Sequence, residues 1–154
     1  MNRLDLFKDK KILITGHTGF KGSWLTIWLK NLGGKILGIS LRPQTIPSNY
    51  YDCEISKNIK TVFINIQNKR KLEKIVNSFK PDFVFHLAAQ SIVLKSFNEP
   101  INTWNTNLIG TMNLLESLKK LTKKCAVVLV TSDKCYKNVG SNKGYKETDR
   151  LGGD

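Results

Sequence analysis

The sequence predicts an α/β fold, a doubly wound parallel sheet truncated after about five strands, and three observations predict it. Short apolar, β-branched runs alternate with longer stretches of helical periodicity. The runs are apolar throughout instead of alternating with polar residues, as in strands buried on both faces. The first run meets a glycine-rich turn that opens directly into an amphipathic segment.

Each element follows from its own residues. Lys11 to Thr15 (KILIT) is the first strand. From Gly22 to Leu32 the positions Trp24, Leu25, Ile27, Trp28, Leu29 and Leu32 predict a helix with a broad buried face, stopped by Gly33 and Gly34. The second strand is Lys35 to Ser40. Arg42 to Tyr51, with Pro43, Pro47, Ser48 and Asn49, carries too much turn chemistry for a strand or helix and is expected as a loop over the ligand. Thr61 to Ile66 is the third strand. Leu72, Ile75, Val76 and Phe79 recur at helical spacing until Pro81, and Phe83 to Phe85 form the fourth strand. Pro100 opens a long helix, with Ile101, Trp104, Leu108, Met112, Leu115, Leu118 and Leu121 along one stripe. Ala126 to Val130 is the fifth strand, and Tyr136 to Asp154 reads as polar loop. Such connections are right-handed, and the loops at the carboxyl ends of the strands hold the ligand.

With 154 residues, 40% of them hydrophobic, the chain can build the core of one domain and is short for a cofactor domain plus a substrate domain. The formal charge of +13 would attract phosphates, nucleic acid or an anionic membrane, but the lysines are spread along the chain and do not interleave with aromatic residues as base-stacking surfaces do. No nucleic-acid or membrane partner is therefore expected. Cys53, Cys125 and Cys135 have neither an even count nor CxxC spacing, so they read as reduced thiols, with no disulfide framework and no metal. No apolar run approaches a bilayer span, and no signal-peptide core precedes the first strand, so a soluble cytoplasmic protein is expected.

Gly16-His17-Thr18-Gly19-Phe20-Lys21-Gly22 has GxxGxxG spacing between a strand and a helix. Gly16 permits the tight turn, Gly19 lets a pyrophosphate approach the backbone, and Gly22 lets helix and strand pack closely. The helix N-terminus offers unpaired N–H groups and a partial positive charge, to which Lys21 adds a full one. His17, Phe20 and Lys21 are counted with the three glycines as cofactor-binding. This is the phosphate-binding turn of a Rossmann domain.

The GxxGxxG form resembles the short-chain dehydrogenase superfamily. Thr15 to Trp24 (TGHTGFKGSW) resembles the CDP-glucose 4,6-dehydratases more narrowly, and the likeness continues through FHLAAQ at Phe85 to Gln90, TNLIGT at Thr106 to Thr111, TSDKCY at Thr131 to Tyr136, and the GYKETDRLGGD tail. The resemblance implies that Leu87, Ala88, Ala89 and Gln90 line the cofactor, small Ala88 and Ala89 letting the backbone pass close to it. It implies that Asn107 faces the active site and supports the helix backbone and a water chain. Asn65 stands where relatives place an aspartate near the adenine, with Ile66 beside it.

The segment after the fifth strand, at the carboxyl edge, is where chemistry should concentrate. By resemblance, Ser132 hydrogen-bonds the sugar 4-hydroxyl during transient oxidation at C4, Asp133 is the general acid on the departing 6-hydroxyl, and Lys134 is the base at C5. The last two roles require pKa values moved toward neutrality. The implied reaction converts CDP-glucose to CDP-4-keto-6-deoxyglucose and water. A nucleotide-sugar epimerase on the same scaffold and a non-catalytic dinucleotide-binding module are the alternatives; Asp133 and Lys134 argue against the epimerase, which needs no such pair at C5 and C6.

Two departures from the pattern matter. No tyrosine here is followed four residues later by lysine, so the family's Tyr-x-x-x-Lys pair is missing from these residues and the chain is expected to be an inactive N-terminal portion. Its sheet edge and long-helix stripe would then be partly uncovered, and a homo-oligomer is expected only once a C-terminal half completes it. Second, no acidic residue ends the second strand, whereas Arg42 lies just beyond it and could receive a 2′-phosphate. NAD is the expected cofactor on resemblance, with NADP the alternative because of Arg42.

Overall fold

In the computed structural model of the chain, the described residues are 3–140 and 142–152, apart from the side chains of Arg3, Leu4 and Asp133. Five strands form one parallel sheet in the order β3-β2-β1-β4-β5: β1 Lys11–Thr15, β2 Lys35–Ser40, β3 Lys60–Phe63, β4 Phe83–His86 and β5 Ala126–Leu129. Between them lie α1 Phe20–Asn31, the short helices α2 Asn49–Asp52 and α3 Ile55–Asn58, α4 Lys69–Phe79, and α5 Val93–Asn98. α6 Pro100–Trp104 runs through a π turn at Asn105–Ile109 into α7 Gly110–Lys119.

β1, β2 and β4 are apolar because both faces of the sheet are covered over them. Leu13, Leu37, Ile39 and Val84 point to one face, where Leu72 and Val76 of α4 and Leu114 of α7 meet them. Ile12, Ile14 and Ile36 point to the other, against Leu29 of α1, with Phe7 and Phe85 at the margin. The helix α4 reads directly from its sequence: Asn68 accepts from the Lys71 N–H at 3.1 Å as its N-cap, and the chain leaves through Lys80 at φ 52° before Pro81.

Several expectations change. α1 buries Gly22, Ser23, Thr26 and Leu29, whereas Trp24 and Trp28 are 56% and 59% exposed. α7 buries Gly110, Asn113, Leu114 and Ser117, and the stripe is partly uncovered as expected: Ile101, Trp104, Leu108, Met112 and Leu115 are exposed, while Leu118 and Leu121 pack against the core. The reason is close approach. A Cβ on Gly110 would lie 2.5 Å from Ile66, and the buried hydroxyls are satisfied on the preceding turn, Thr26 donating to Gly22 O at 2.7 Å and Ser117 to Asn113 O at 2.7 Å. Small polar residues therefore seat these helices, and the larger apolar residues are displaced outward.

The third strand stops at Phe63, level with the end of β2, instead of reaching Ile66. The expected loop at Arg42 to Tyr51 becomes helical from Asn49, because Tyr50 is buried edge-on against His17 and Phe63. The segment after Tyr136 is not simple loop. It folds back so that the Lys137 N–H donates to Arg150 O at 2.9 Å and the Gly152 N–H to Cys135 O at 3.0 Å, with Tyr136 stacked on Tyr145 at 4.9 Å. β5 lies at the end of the sheet, with all four residues exposed. No described helix is long and apolar enough to cross a membrane.

Candidate active site

Three strands end level with one another: Thr15 pairs with His86, and His86 with Leu129. The Gly16–Gly22 turn, the Leu87–Gln90 strap and the 130–134 segment therefore emerge side by side at one carboxyl edge, about 5 Å from strand to strand.

The turn is built on steric contact. Gly16 has φ +76°, and a Cβ there would lie 2.6 Å from the Ala88 nitrogen; its own N–H donates to Ile39 O at 2.8 Å. Gly22 sits against Gly16, where a Cβ would lie 2.1 Å from the Gly16 carbonyl oxygen. Gly19 differs: it is exposed, caps α1 in an extended conformation, and a Cβ there would meet nothing nearer than 3.4 Å. Gly16 makes the turn, Gly22 lets the helix pack, and Gly19 leaves open space above the first turn of α1, whose N–H groups have no partner within the helix. Phe20 and Lys21 are exposed beside that opening.

His17 does not belong to it. Its ring is fully buried behind the turn, Nε2 lies 3.1 Å from Thr61 Oγ1, and a Cβ on Gly38 would come within 2.5 Å of it. Burial lowers its pKa to about 4, so it is a neutral packing group and not a contact for phosphate. Ile66 is also a correction: it is 4% exposed and packs against Gly110 in the core, while its carbonyl accepts from Asn113 Nδ2 at 3.2 Å.

At the far end of the edge, Arg42 is exposed with its guanidinium stacked on the Phe63 ring, 4.5 Å from the centroid. Thr18 Oγ1 donates to Leu41 O at 3.0 Å and lies 2.7 Å from Ser40 Oγ, fastening the turn to the end of β2. Asn65 is exposed, and its Oδ1 accepts the Gln67 N–H at 2.9 Å.

On the other side, half-buried Leu87 and Ala88 pass over Gly16, and Ala89 is exposed. Asn107, in the π turn, grips the backbone of Gln90 at two points: Oδ1 accepts the Gln90 N–H at 2.7 Å, and Nδ2 donates to Gln90 O at 3.0 Å. Its amide therefore supports the strap and not its own helix. Ser132 Oγ accepts the Lys134 N–H at 3.1 Å at the start of a single 3-10 turn, Asp133–Cys135, and Lys134 is exposed. The Asp133 side chain lies outside the described residues. Beyond it, the folded-back tail borders an open cavity whose walls carry Lys137, Lys143, Lys146 and Arg150 with Asp149.

Sequence reasoning did not single out Thr15, His86 or Thr111, which lie at the centre of the edge. His86 is 3% exposed, with Nδ1 2.6 Å from Thr15 Oγ1 and Nε2 2.8 Å from Thr111 Oγ1. A histidine closing an otherwise apolar strand was the available signal; its partners, 71 and 25 residues away, were not legible.

The family model described as GDP-mannose 4,6 dehydratase matches residues 13–153. A CDP-glucose 4,6-dehydratase of Salmonella typhimurium is 40% identical over 97% of this chain and 42% of its own length, and a CDP-paratose 2-epimerase of Salmonella typhi is 29% identical over 90% of this chain and 41% of its own. The chain thus spans about two fifths of the curated relatives it matches. Among solved structures, the UDP-glucose 4-epimerase of Thermus thermophilus in complex with NAD superposes with a TM-score of 0.79 at 25% identity, covering 93% of this chain and 44% of that one.

Proposed function

This chain belongs to the GDP-mannose 4,6 dehydratase family, and on that premise we propose that it supplies the dinucleotide-binding domain and part of the acid–base set of a nucleotide-sugar 4,6-dehydratase acting on CDP-glucose, with NAD as cofactor. The observation that carries the reading is the level ending of β1, β4 and β5, which brings the phosphate turn, the Ala88 strap and Ser132–Lys134 to one edge.

The residues fit a dinucleotide. The cradle at Gly16 and Gly22 is packed too tightly for any side chain, while the space above Gly19 is open, so a pyrophosphate would lie on the N–H groups of Phe20, Lys21 and Gly22 with the Lys21 ammonium beside it. When bound, the nicotinamide supplies reversible hydride acceptance. The chain's own residues supply part of the acid–base set. Ser132 orients the sugar 4-hydroxyl by hydrogen bonding, Asp133 holds the proton that the departing 6-hydroxyl needs, and Lys134 takes the proton from C5. Tyr-x-x-x-Lys is not among the 154 residues, so removal of the 4-hydroxyl proton needs a group from the part of the relatives' length that this chain does not span. The basic cavity wall around Lys143 and Arg150 suits the diphosphate of a nucleotide-sugar.

NAD is preferred to NADP because Arg42 is already engaged on Phe63, and a 2′-phosphate would have to draw it away from the ring. Thermal shift with each dinucleotide tests this. NAD at one hundred times its Kd stabilises the chain by about 2.7 kcal/mol, and NADP gives a smaller shift at equal concentration. No shift with either would overturn the cofactor reading, a larger one with NADP would reverse the preference, and 4-keto-6-deoxy product from the 154 residues alone would overturn the need for a further group.

A further inference from the structure

We infer that His86 is a positioning residue: a neutral imidazole fixed as its Nε2–H tautomer, which links the phosphate turn to the π turn that holds the Gln90 strap.

The direction of every bond in the relay is fixed by its ends. Thr111 Oγ1 lies 2.6 Å from the Asn107 carbonyl, which can only accept, so the threonine's single proton points there. His86 Nε2, 2.8 Å from the same hydroxyl, must therefore carry a hydrogen and donate it. At the other end Thr15 Oγ1 accepts the Ala88 N–H at 3.3 Å. If Nδ1 were also protonated, the buried Thr15 oxygen would receive two donors and its own proton would be left over; with Nδ1 bare, Thr15 donates to it at 2.6 Å and the chain is complete. Burial acts in the same sense, holding His86 near a pKa of about 4.

The relay runs from the Ala88 amide through Thr15, His86 and Thr111 to the Asn107 carbonyl, and the Asn107 side chain returns to the Gln90 backbone. Both ends of the strap that crosses Gly16 are thus set by one ring. Because a Cβ at Gly16 would lie only 2.6 Å from the Ala88 nitrogen, the strap has no slack against the turn, and a change at Thr111 should be felt at the phosphate site although Thr111 touches neither glycine nor ligand.

The inference deepens the proposed dinucleotide site and rests on it, but three measurements separate the two. First, long-range proton–nitrogen NMR of the 154-residue chain, which has only two histidines, should show His86 as the Nε2–H tautomer without titration between about pH 5 and 8; an Nδ1–H tautomer or a titrating ring overturns the relay. Second, Thr111→Val should move the Ala88 and Gln90 amide resonances in the absence of any ligand, and Thr111→Ser should restore them; unmoved amides in Thr111→Val overturn the coupling. Third, calorimetry with NAD should show Thr111→Val binding about tenfold more weakly and Thr111→Ser binding as the parent. Equal affinity in Thr111→Val leaves His86 a purely structural group and overturns the inference. A parent that binds no NAD overturns the proposed cofactor site instead, leaving the first two measurements to decide the relay.

Discussion

The two ends of the catalytic edge are made differently. Around Gly16 and His86 nearly every group is enclosed: Thr15 and His17 are fully buried, Gly22 lies against the Gly16 carbonyl, and the strap is held at Ala88 and Gln90. Past β5 most of the described residues are exposed, joined by one 3-10 turn and a short fold-back. The end around Gly16 is thus fixed by packing, whereas Lys134, past β5, is exposed. A group that must hold or release a proton at neutral pH needs burial or a neighbouring charge, which is what the proposed roles of Asp133 and Lys134 would require.

The sharpest way to break this comparison is Gly22→Ala. The new Cβ would meet backbone, 2.1 Å from the Gly16 oxygen, and backbone cannot swing away as a side chain can. A loss of more than about 4 kcal/mol, or failure to fold, is expected in a denaturant titration. Gly19→Ala is the contrast. With φ −75° and open space around it, it should fold within about 1 kcal/mol of the parent while losing NAD affinity, because its methyl occupies the pyrophosphate's approach. Equal stability of the two variants would show that the turn is not packed as described.

The second prediction uses pH. Burial lowers His17 and His86 to a pKa of about 4, from an ordinary value near 6.5. Between those values the unfolded chain binds protons that the folded chain does not, so stability is full above about pH 6.5 and falls as the pH drops toward 4. The loss is on the order of 3 kcal/mol for each imidazole. The lysine-paired Asp9 and Asp82, whose pKa values are lowered chiefly by hydrogen bonds from Lys35 and Lys123, contribute only at more acidic pH. Denaturant titrations at pH 7, 5.5 and 4.5 check this, and a flat profile would mean that the two rings are solvated.

The same packing decided what could be read from sequence. The limits of β1 and β2 were legible because a strand buried on both faces is apolar from end to end, and the tight turn at Gly16 and the close packing at Gly22 followed from strand, turn and helix in succession. The helix faces were not legible. Trp24 and Trp28 dominate the apolar periodicity of α1, yet Ser23 and Thr26 face the sheet because their hydroxyls bond within the helix and their size permits close approach. His17 and Ile66 were assigned to the cofactor from their places beside motif residues, and both turn inward, since sequence adjacency does not determine side-chain direction. The fold-back of residues 135–152 left no periodic signal because one bridge and one tyrosine stack hold it.

Gly38→Ala gives a smaller effect on the same side of the comparison. Its Cβ would lie 2.5 Å from the His17 ring, which is enclosed by Thr61 and Tyr50 and has little room to shift. A cost of about 2 kcal/mol is expected, midway between a backbone clash and a surface change. A neutral result would show that His17 can leave its pocket, and would return it to consideration as a group near the phosphate.

The smallest expected effect lies at the other end. Lys134 is exposed, and its backbone N–H, not its ammonium, is held by Ser132 Oγ at 3.1 Å. Lys134→Met keeps the apolar stem and removes the charge, so its stability should fall within about 0.5 kcal/mol of the parent in the same titration. The chain carries a formal charge of +13, and losing one cation relieves repulsion slightly, which makes a small gain the expected sign. A loss above about 2 kcal/mol would mean that the ammonium is buried against a partner, and the contrast between a packed cofactor end and an open acid–base end would fail. A near-neutral result is what an ammonium open to solvent gives, and it keeps the contrast between the packed end and the open one.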